Sequence, residues 1–315
     1  MCCLVQVKPC FGFFFSQNGL KLTRRKPAQD EIMSNWFDGY VNSNGLKLHY
    51  YRTGGDKPPV VINHGAGDDG LCWTHVAKAL EQDYDLILPD ARGHGKSATG
   101  KKDYSTQQRT TDLVELIEAL KLDRPVVGGH SMGADTSLHL AANYPHLTCG
   151  IFLEDPPIIL PGETFGSGEQ VIDLEKMGTL MVRFMLAFKI LPKFIGTLLQ
   201  RKISPTYPDD EIIPWINSKK RASFDFLFSM ASMEMDLSEP FEKFRKIQSP
   251  VLLFIGDKEK MSIVSPEAAQ QAENVNPKVK VVHLEGASHD IRRTRFDGYL
   301  PALKTFLEEI YPVTK

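Results

Sequence analysis

The sequence carries Gly129-His130-Ser131-Met132-Gly133 between an apolar run at residues 125–127 and a helical pattern at residues 134–140. A strand, a tight turn and a helix in this order hold the central serine in a strained backbone conformation. The positions on both sides of the serine must then be small, and glycine meets that need. We therefore predict that Ser131 projects from the turn as a nucleophile, beside the N-terminal amides of the following helix.

Short apolar runs alternate with helical patterns along most of the chain. The turn signal Asn44-Gly45 separates two strand patterns and predicts an antiparallel opening pair. Further runs typical of buried strands cover residues 59–63, 85–89, 151–153, 251–255 and 279–284. Helical patterns cover residues 72–80, 106–120 and 293–310. This alternation predicts an α/β fold with a mostly parallel sheet and helices on both faces.

Residues 156–246 interrupt the alternation. They begin with a stretch rich in proline and glycine and continue with apolar helical runs, the richest at residues 181–188 and 224–230. Charged residues and a proline interrupt the first of these runs, so it is too short to span a membrane. We interpret the segment as a helical cap inserted into an α/β core formed by residues 33–155 and 247–315.

The amino-acid composition indicates which partners and which cellular compartment to expect. The chain has 315 residues, 42% of them hydrophobic, which suits one large α/β domain with an insertion. Its 37 Lys and Arg nearly balance 39 Asp and Glu, so we expect no nucleic-acid partner. The five cysteines form no C-x-x-C pair, which favours a reducing, cytoplasmic location with free thiols. No metal-ligand cluster stands out among the nine histidines, and we expect neither a metal nor a cofactor.

Residues 1–32 are predicted to form a disordered N-terminal extension. Most of their positive charge follows the apolar stretch at residues 11–15, which is the reverse of the order in a secretory signal. Cys2 and Cys3 are potential acylation sites, and together with residues 13–15 they offer a membrane anchor as an alternative. We favour a protein that does not associate with membranes.

Five short segments occur in a characteristic order along the chain. They are His64-Gly65-Ala66-Gly67, Asp90-Ala91-Arg92-Gly93-His94-Gly95-Lys96-Ser97, Gly129-His130-Ser131-Met132-Gly133, Gly256-Asp257 and Gly286-Ala287-Ser288-His289. Each motif alone is weak, but the ordered set is specific and resembles the α/β-hydrolase superfamily over about residues 38–312. The resemblance implies an α/β-hydrolase sheet with an inserted helical cap.

The same resemblance implies a serine nucleophile, a histidine base and two oxyanion donors. Ser131 matches the nucleophile, and an unaided serine hydroxyl needs a base to take its proton. His289, just after the last strand pattern, matches that base. The backbone N–H groups of Ala66 and Met132 match the donors that stabilise a developing oxyanion.

Three residues are candidates for the acid that orients the histidine. Asp257 follows the strand pattern at residues 251–255, which is the usual place of the acid in the superfamily. The usual loop has an aspartate three residues after its glycine, and Glu259 stands at that position here. Asp155 follows the strand pattern at residues 151–153, a place that a minority of the superfamily uses. Asp257 is our first choice, Asp155 the alternative and Glu259 the third.

The expected function is a serine hydrolase that cleaves a small or medium apolar carboxylic ester or lactone through an acyl-enzyme. A carbon–carbon bond hydrolase or lyase with the same triad is one alternative, and a ligand receptor on the same fold is another. Arg292 and Arg293 closely follow the predicted base, and we interpret them as a solvated helix start and not as a site for an acidic substrate. The exact substrate and the oligomeric state are left open.

Overall fold

The structure, a computed structural model, describes residues 36–100, 103–163, 174–231 and 240–312, so the predicted N-terminal extension lies outside it. Within these residues one sheet contains eight strands, which are β1 Phe37–Ser43, β2 Leu46–Arg52, β3 Pro59–Asn63, β4 Asp85–Pro89, β5 Val126–His130, β6 Gly150–Glu154, β7 Val251–Ile255 and β8 Val279–His283. The strand order across the sheet is β1-β2-β4-β3-β5-β6-β7-β8.

The sheet is mostly parallel, as the sequence predicts. β1 pairs with β2 and β2 with β4 in antiparallel register, and the remaining neighbours are parallel. Asn44 and Gly45 connect β1 to β2, and their φ values are 48° and 82°. Positive φ at both central residues is the geometry of a tight two-residue hairpin, so the predicted opening pair is confirmed.

Eleven helices are described. They are α1 Thr74–Leu80, α2 Thr106–Ala119, α3 Met132–Asn143, α4 Leu174–Ile190, α5 Lys193–Ile203, α6 Asp209–Arg221, α7 Phe224–Ala231, α8 Pro240–Lys246, α9 Pro266–Val275, α10 Ile291–Thr294 and α11 Phe296–Ile310. A short 3-10 turn, Gly70–Trp73, leads into α1. None of the helices in the described part of the chain combines the length and the apolar character needed to cross a bilayer.

Alternate residues of the central strands face the two layers of helices. Leu153 of β6 belongs to a buried cluster that also contains residues of α2, α3, α8 and α9. Its neighbour Phe152 points to the opposite face, where its ring lies 6.4 Å from that of Trp73. On the same side as Phe152, Phe254 of β7 packs against Tyr299 of α11 at 4.4 Å. Strands buried on both faces are the mark of a parallel sheet between two helical layers, and the predicted fold class is confirmed.

Helices α4 to α7 separate β6 from β7 along the chain. α4 packs against α6 and α7, α5 packs against α6, and α6 also contacts the 3-10 turn Gly70–Trp73. α8 differs from the others, because Phe241 and Phe244 lie in the main core cluster. The inserted segment predicted over residues 156–246 thus contributes α4 to α7 as a helical layer of its own, while α8 packs with the core.

Candidate active site

Ser131 occupies the turn between β5 and α3. Its φ of 51° and ψ of −115° lie in a region that side-chain-bearing residues rarely adopt. Its N–H donates to the carbonyl oxygen of Glu154 at 2.9 Å, which ties the turn to the neighbouring strand. This is the strained strand–turn–helix geometry that the sequence predicts, with the serine at the N-terminal end of α3.

The two glycines of the turn are required by contacts with the backbone of β3. A Cβ on Gly129 would lie 2.5 Å from the carbonyl oxygen of Asn63, and a Cβ on Gly133 would lie 2.4 Å from the same atom. Real Cβ atoms do not approach backbone oxygen so closely, so any side chain here would push the turn away from the sheet. The glycines therefore set the position from which Ser131 projects.

His289 extends from the loop after β8 and pairs with Asp155. Its Nδ1 lies 2.7 Å from Asp155 Oδ2. The fully buried Asp155 also accepts hydrogen bonds from the Ser262 hydroxyl at 2.8 Å and from the amides of Ile263 and Val264 at 2.8 and 3.0 Å. Four donors around one carboxyl group fit the carboxylate, which only accepts. The imidazole then keeps its proton on Nδ1, and Nε2 remains to act as a base.

The structure places the two other acid candidates away from His289. Asp257 accepts from His283 Nε2 at 2.9 Å and from the Gly286 N–H at 2.8 Å. Although burial opposes it, these two donors hold the pKa of Asp257 below its usual value. Glu259 is exposed on the turn that follows β7. Asp257 was the first choice from the sequence, and the residue that the structure pairs with His289 is instead the alternative, Asp155.

His130, the residue before Ser131, packs against His289. The two rings pack with their centroids 4.5 Å apart, and His130 Nε2 donates to the His289 carbonyl oxygen at 3.0 Å. Burial holds the pKa of His130 well below its usual value, so this histidine is neutral. The Ser131 hydroxyl makes no hydrogen bond to any residue that the structure describes. Catalytic hydrogen bonds often form only when substrate binds, so this hydroxyl remains the candidate nucleophile.

The loop after β3 is held by two neutral histidines and one lysine. His64 Nδ1 donates to the Gly65 carbonyl oxygen at 2.8 Å, and His94 Nε2 accepts from the Gly67 N–H at 3.1 Å. Burial lowers the pKa of both histidines, so each offers one donor and one acceptor. Lys219 of α6 donates to the Gly67 carbonyl oxygen at 2.9 Å. The polar groups of the loop are thus bound on both sides of its central residue.

That central residue is Ala66, whose amide remains unoccupied. Among the described residues, the Ala66 N–H has no hydrogen-bond acceptor. Met132 is the first residue of α3, and the first amides of a helix have no acceptor within it. The two predicted oxyanion donors therefore both have a hydrogen to offer.

An apolar wall lies next to Ala66 and Met132, the residues that carry the two predicted donors. The wall is a buried cluster formed by side chains of α4 and α7 and of the loop before α2, which are Tyr104, Val182, Met185, Phe226 and Leu227. Ala66 and Met132 pack against this cluster, together with Met181 and Met230. A Cβ on Gly67 would lie 2.6 Å from the sulfur of Met185, so the wall reaches the backbone of the loop.

Arg292 and Arg293 are buried, so the expectation that they form a solvated helix start is wrong. Arg292 pairs with Glu154 at 3.1 Å. Arg293 pairs with Glu211 at 2.7 Å and with Asp68 at 3.0 Å. The pairs offset the cost of burying charge, and neither guanidinium is left to bind an acidic substrate. Within the described chain, no three metal-ligating side chains lie close enough together to hold an ion.

Lys219 of α6 belongs to the same buried group of charged side chains as Arg293 and Asp68. Its ammonium donates to Asp68 and to the Gly67 carbonyl oxygen. Burial opposes ionisation of Asp68, but Lys219 and Arg293 outweigh burial and hold the pKa of Asp68 well below its usual value. The cluster therefore connects α6 to the loop that carries Ala66. Nothing in the sequence marked Lys219, because it begins a run of three basic residues at the end of a helical pattern, and such a run normally belongs to a solvated face.

We expect kcat/KM to fall at acidic pH along a limb set by His289. Burial alone would lower the pKa of His289, but its hydrogen bond to Asp155 and the charge of that carboxylate outweigh burial and raise it. A general base must be neutral, so activity is lost as pH falls through this pKa. In residual-activity profiles, Asp155→Asn should move the limb to lower pH, and Asp257→Asn should leave it in place. The reverse pattern would contradict the pairing of His289 with Asp155.

Comparison with known proteins shows the family to which this fold belongs. A family model described as "alpha/beta hydrolase fold" matches residues 58–291. The chain is 23% identical to N-formylmaleamate deformylase from Pseudomonas putida over 282 residues, covering 86% of this chain and 96% of that protein. It is 27% identical to lipase 1 from Psychrobacter immobilis over 264 residues, covering 78% and 76%. A solved structure of E-2-(acetamidomethylene)succinate hydrolase resembles it with a TM-score of 0.70 at 21% identity, covering 87% and 99%.

The matched range contains all the candidate triad residues and both residues that carry the predicted oxyanion donors. It runs from the strand before the Ala66 loop to the loop that carries His289, and it includes Ser131 and Asp155. It also covers more than half of the chain. The chain therefore belongs to the α/β hydrolase fold family, and its relatives place it among hydrolytic enzymes.

Proposed function

We propose that this protein is a serine hydrolase that cleaves small or medium apolar carboxylic esters or lactones through an acyl-enzyme. The observation that carries the proposal is the hydrogen-bonded pair of His289 and Asp155, with the His289 ring packed on His130, the residue before the strained Ser131. The three residues come from three loops at one edge of the sheet, where parallel strands bring their carboxyl ends together. A histidine that is oriented by a buried carboxylate and can reach a serine forms the catalytic triad that activates the serine hydroxyl.

The reaction begins when Ser131 Oγ attacks the carbonyl carbon while His289 Nε2 takes its proton. Asp155 holds the imidazole in the required tautomer and stabilises the imidazolium that forms. The carbonyl oxygen becomes negative and accepts hydrogen bonds from the N–H groups of Ala66 and Met132, each typically worth about 2.7–4 kcal/mol in the transition state. His289 then protonates the leaving oxygen, and the same imidazole activates the water that releases the acid from Ser131.

The apolar wall supports the choice of substrate class. Met181, Met185 and Met230 contribute flexible side chains that adapt to acyl groups of different shape. The nearby cations Arg292 and Arg293 are already paired with buried carboxylates, so they offer no attraction to an anionic substrate. A neutral, apolar acyl group of small or medium length fits this environment.

The test is a pre-steady-state assay with p-nitrophenyl esters of increasing acyl length. An acyl-enzyme that forms faster than it is hydrolysed releases one p-nitrophenol per site in a burst. We expect a burst equal to the enzyme concentration. We also expect kcat/KM to rise with acyl length until the acyl chain extends past the apolar wall. Mass spectrometry after reaction with an organophosphonate should find the label on Ser131, which detects the nucleophile even when deacylation is fast.

Failure of this test would have a definite meaning. Turnover of no ester in the series, together with no label on Ser131, would contradict the proposal and favour a ligand receptor on the same fold. Labelling of Ser131 without ester turnover would favour a carbon–carbon bond hydrolase or lyase that uses the same triad.

The similarity to a protein named a deformylase favours a second candidate reaction. The same residues would remove a formyl or related acyl group from nitrogen, with His289 protonating the leaving nitrogen. Parallel assays on matched ester and amide substrates decide between the two. A kcat/KM for the amide above that for the ester of the same acyl group would favour the second candidate.

A further inference from the structure

Helix α5 is inverted with respect to a normal surface helix. Its buried positions are Gly196 and Gln200, whereas Phe194 and Leu198 are 69% and 67% exposed. A helix on the surface of a protein in water normally buries its apolar residues and exposes its polar ones. The sequence of α5 thus places its large apolar side chains on the side away from the rest of the protein.

The buried side of α5 explains how the helix is held without burying these side chains. A Cβ on Gly196 would lie 3.3 Å from Ile216 of α6 and 3.6 Å from Phe188 of α4. The glycine therefore permits a close approach to both helices. α5 is packed against α4 and α6 at this glycine, so its large apolar side chains remain exposed on the opposite side.

The exposed apolar side chains extend beyond α5 itself. We use the term α5 surface for Ile190, Phe194, Ile195, Leu198, Leu199 and Ile203, each more than a third exposed. Three of them, at positions 195, 199 and 203, form one row at a spacing of four residues along the helix. Contiguous exposed apolar patches are rare on proteins that function alone in water, and they mark interaction sites.

The charged residues of α5 itself are basic, and Asp209, which follows α5 in the chain, pairs with one of them, Arg201, at 3.0 Å. Residues 178–208 contain five basic residues and no acidic residue, the basic ones being Arg183, Lys189, Lys193, Arg201 and Lys202. Lys193 lies at the beginning of α5, and Arg201 and Lys202 lie in its last turn, all three exposed. Cations at both ends of a helix whose apolar side faces outward match the chemistry of an anionic lipid surface.

We propose that the α5 surface docks this protein onto an anionic lipid bilayer, with α5 lying in the interface. Phe194 and Leu198 enter the boundary between headgroups and acyl chains, while Lys193 and Lys202 contact the negative headgroups. This departs from the expectation that the protein does not associate with membranes, because the sequence could not show which side of α5 is buried. The docking is interfacial and does not require a spanning helix.

The charge also argues against the other occupants of this surface. In a symmetric contact with a second copy, the same basic residues would face one another and repel. The N-terminal extension carries four further basic residues between positions 21 and 26, so it has the same sign of charge. An anionic lipid surface is the complementary partner.

The experiment is co-sedimentation of the full-length chain with vesicles. Phosphatidylcholine vesicles are compared with vesicles that also contain phosphatidylserine. We expect binding to the second kind, weakened by salt, with a loss of about fivefold for each cation removed in Lys193→Ser or Lys202→Ser. Phe194→Ser with Leu198→Ser should weaken binding by about tenfold or more, because both apolar anchors are lost. Tyr40→Ser, a change at an aromatic side chain that is 55% exposed on β1, should leave binding unchanged.

Each other outcome overturns the proposal. Binding that survives the Phe194 and Leu198 changes would place the lipid contact elsewhere in the full chain. Absence of binding to either vesicle would exclude the lipid partner. A wild-type dimer in sedimentation equilibrium that becomes a monomer in the double variant, with no vesicle binding, would assign the α5 surface to a second copy. All variants alter exposed side chains, so thermal unfolding should match the wild type and confirm that the fold is retained.

Discussion

Replacing Ser131 by alanine is expected to lower kcat for an ester by about 10⁶-fold, which is the loss seen when a whole triad stops working. In the proposed mechanism the hydroxyl oxygen is the atom that forms the acyl bond, so no neighbouring group can take its place. The burst disappears as well, since no acyl-enzyme forms. The rate that remains above water comes from binding and from the amides of Ala66 and Met132.

The fold should survive this change, which keeps the result interpretable. The Ser131 hydroxyl has no hydrogen-bond partner among the described residues, so removing it leaves no buried group unsatisfied. Ser105→Ala is the matched control, because Ser105 also precedes a helix, but it is exposed and its hydroxyl accepts from the Gln108 N–H as the cap of α2. That variant should keep its kcat and lose about 1 kcal/mol of unfolding free energy. If Ser131→Ala kept activity close to the wild type, Ser131 would not be the nucleophile.

Replacing Asp155 by asparagine is expected to lower kcat by about 10⁴-fold. The Asp155 carboxylate accepts a hydrogen bond from the Nδ1–H of His289. An asparagine amide in its place can donate an N–H to Nδ1 instead. The imidazole would then carry its proton on Nε2, where it can no longer take one from Ser131. Asp257→Asn should cause a far smaller loss, because Asp257 holds His283 and Gly286 and does not contact His289.

Two measurements separate this effect from simple destabilisation. Asp155 also accepts from Ser262, so Ser262→Ala removes one of its donors while keeping the carboxylate beside His289. We expect a similar decrease in melting temperature for Ser262→Ala and Asp155→Asn, but a large decrease in kcat only for the second. A larger loss of kcat in Asp257→Asn than in Asp155→Asn would return the acid to Asp257.

Local features of the site could be predicted from the sequence because they follow from local sterics. A serine between two glycines, after an apolar run and before a helical pattern, has few backbone solutions. The structure has the expected one, with Ser131 at a φ of 51° and the glycines against Asn63. The strand positions follow from the same kind of reasoning, since β4 and β7 have the bounds that their apolar runs predict.

The acid could not be chosen from the sequence because both aspartates satisfy the same local rule. Asp155 and Asp257 each follow a buried strand, and β6 and β7 are neighbours that end at the same edge of the sheet. What separates them is the course of the chain afterwards. Asp155 adopts a φ of 45° and meets the amides of Ile263 and Val264, which come from the loop after β7. That contact joins residues more than a hundred positions apart.

Burial of charged and apolar side chains was equally beyond the sequence. Arg292 and Arg293 have the local pattern of a solvated helix start, yet they lie beside carboxylates brought from distant elements such as Glu154 and Glu211. The apolar residues of α5 have the composition of a core helix, yet they face outward. The sequence by itself thus determined the fold class, the strands and the strained turn at Ser131, since each depends on neighbours in the chain. Only the tertiary structure decided which charges meet and which side of a helix is buried, because those depend on packing between segments far apart in sequence.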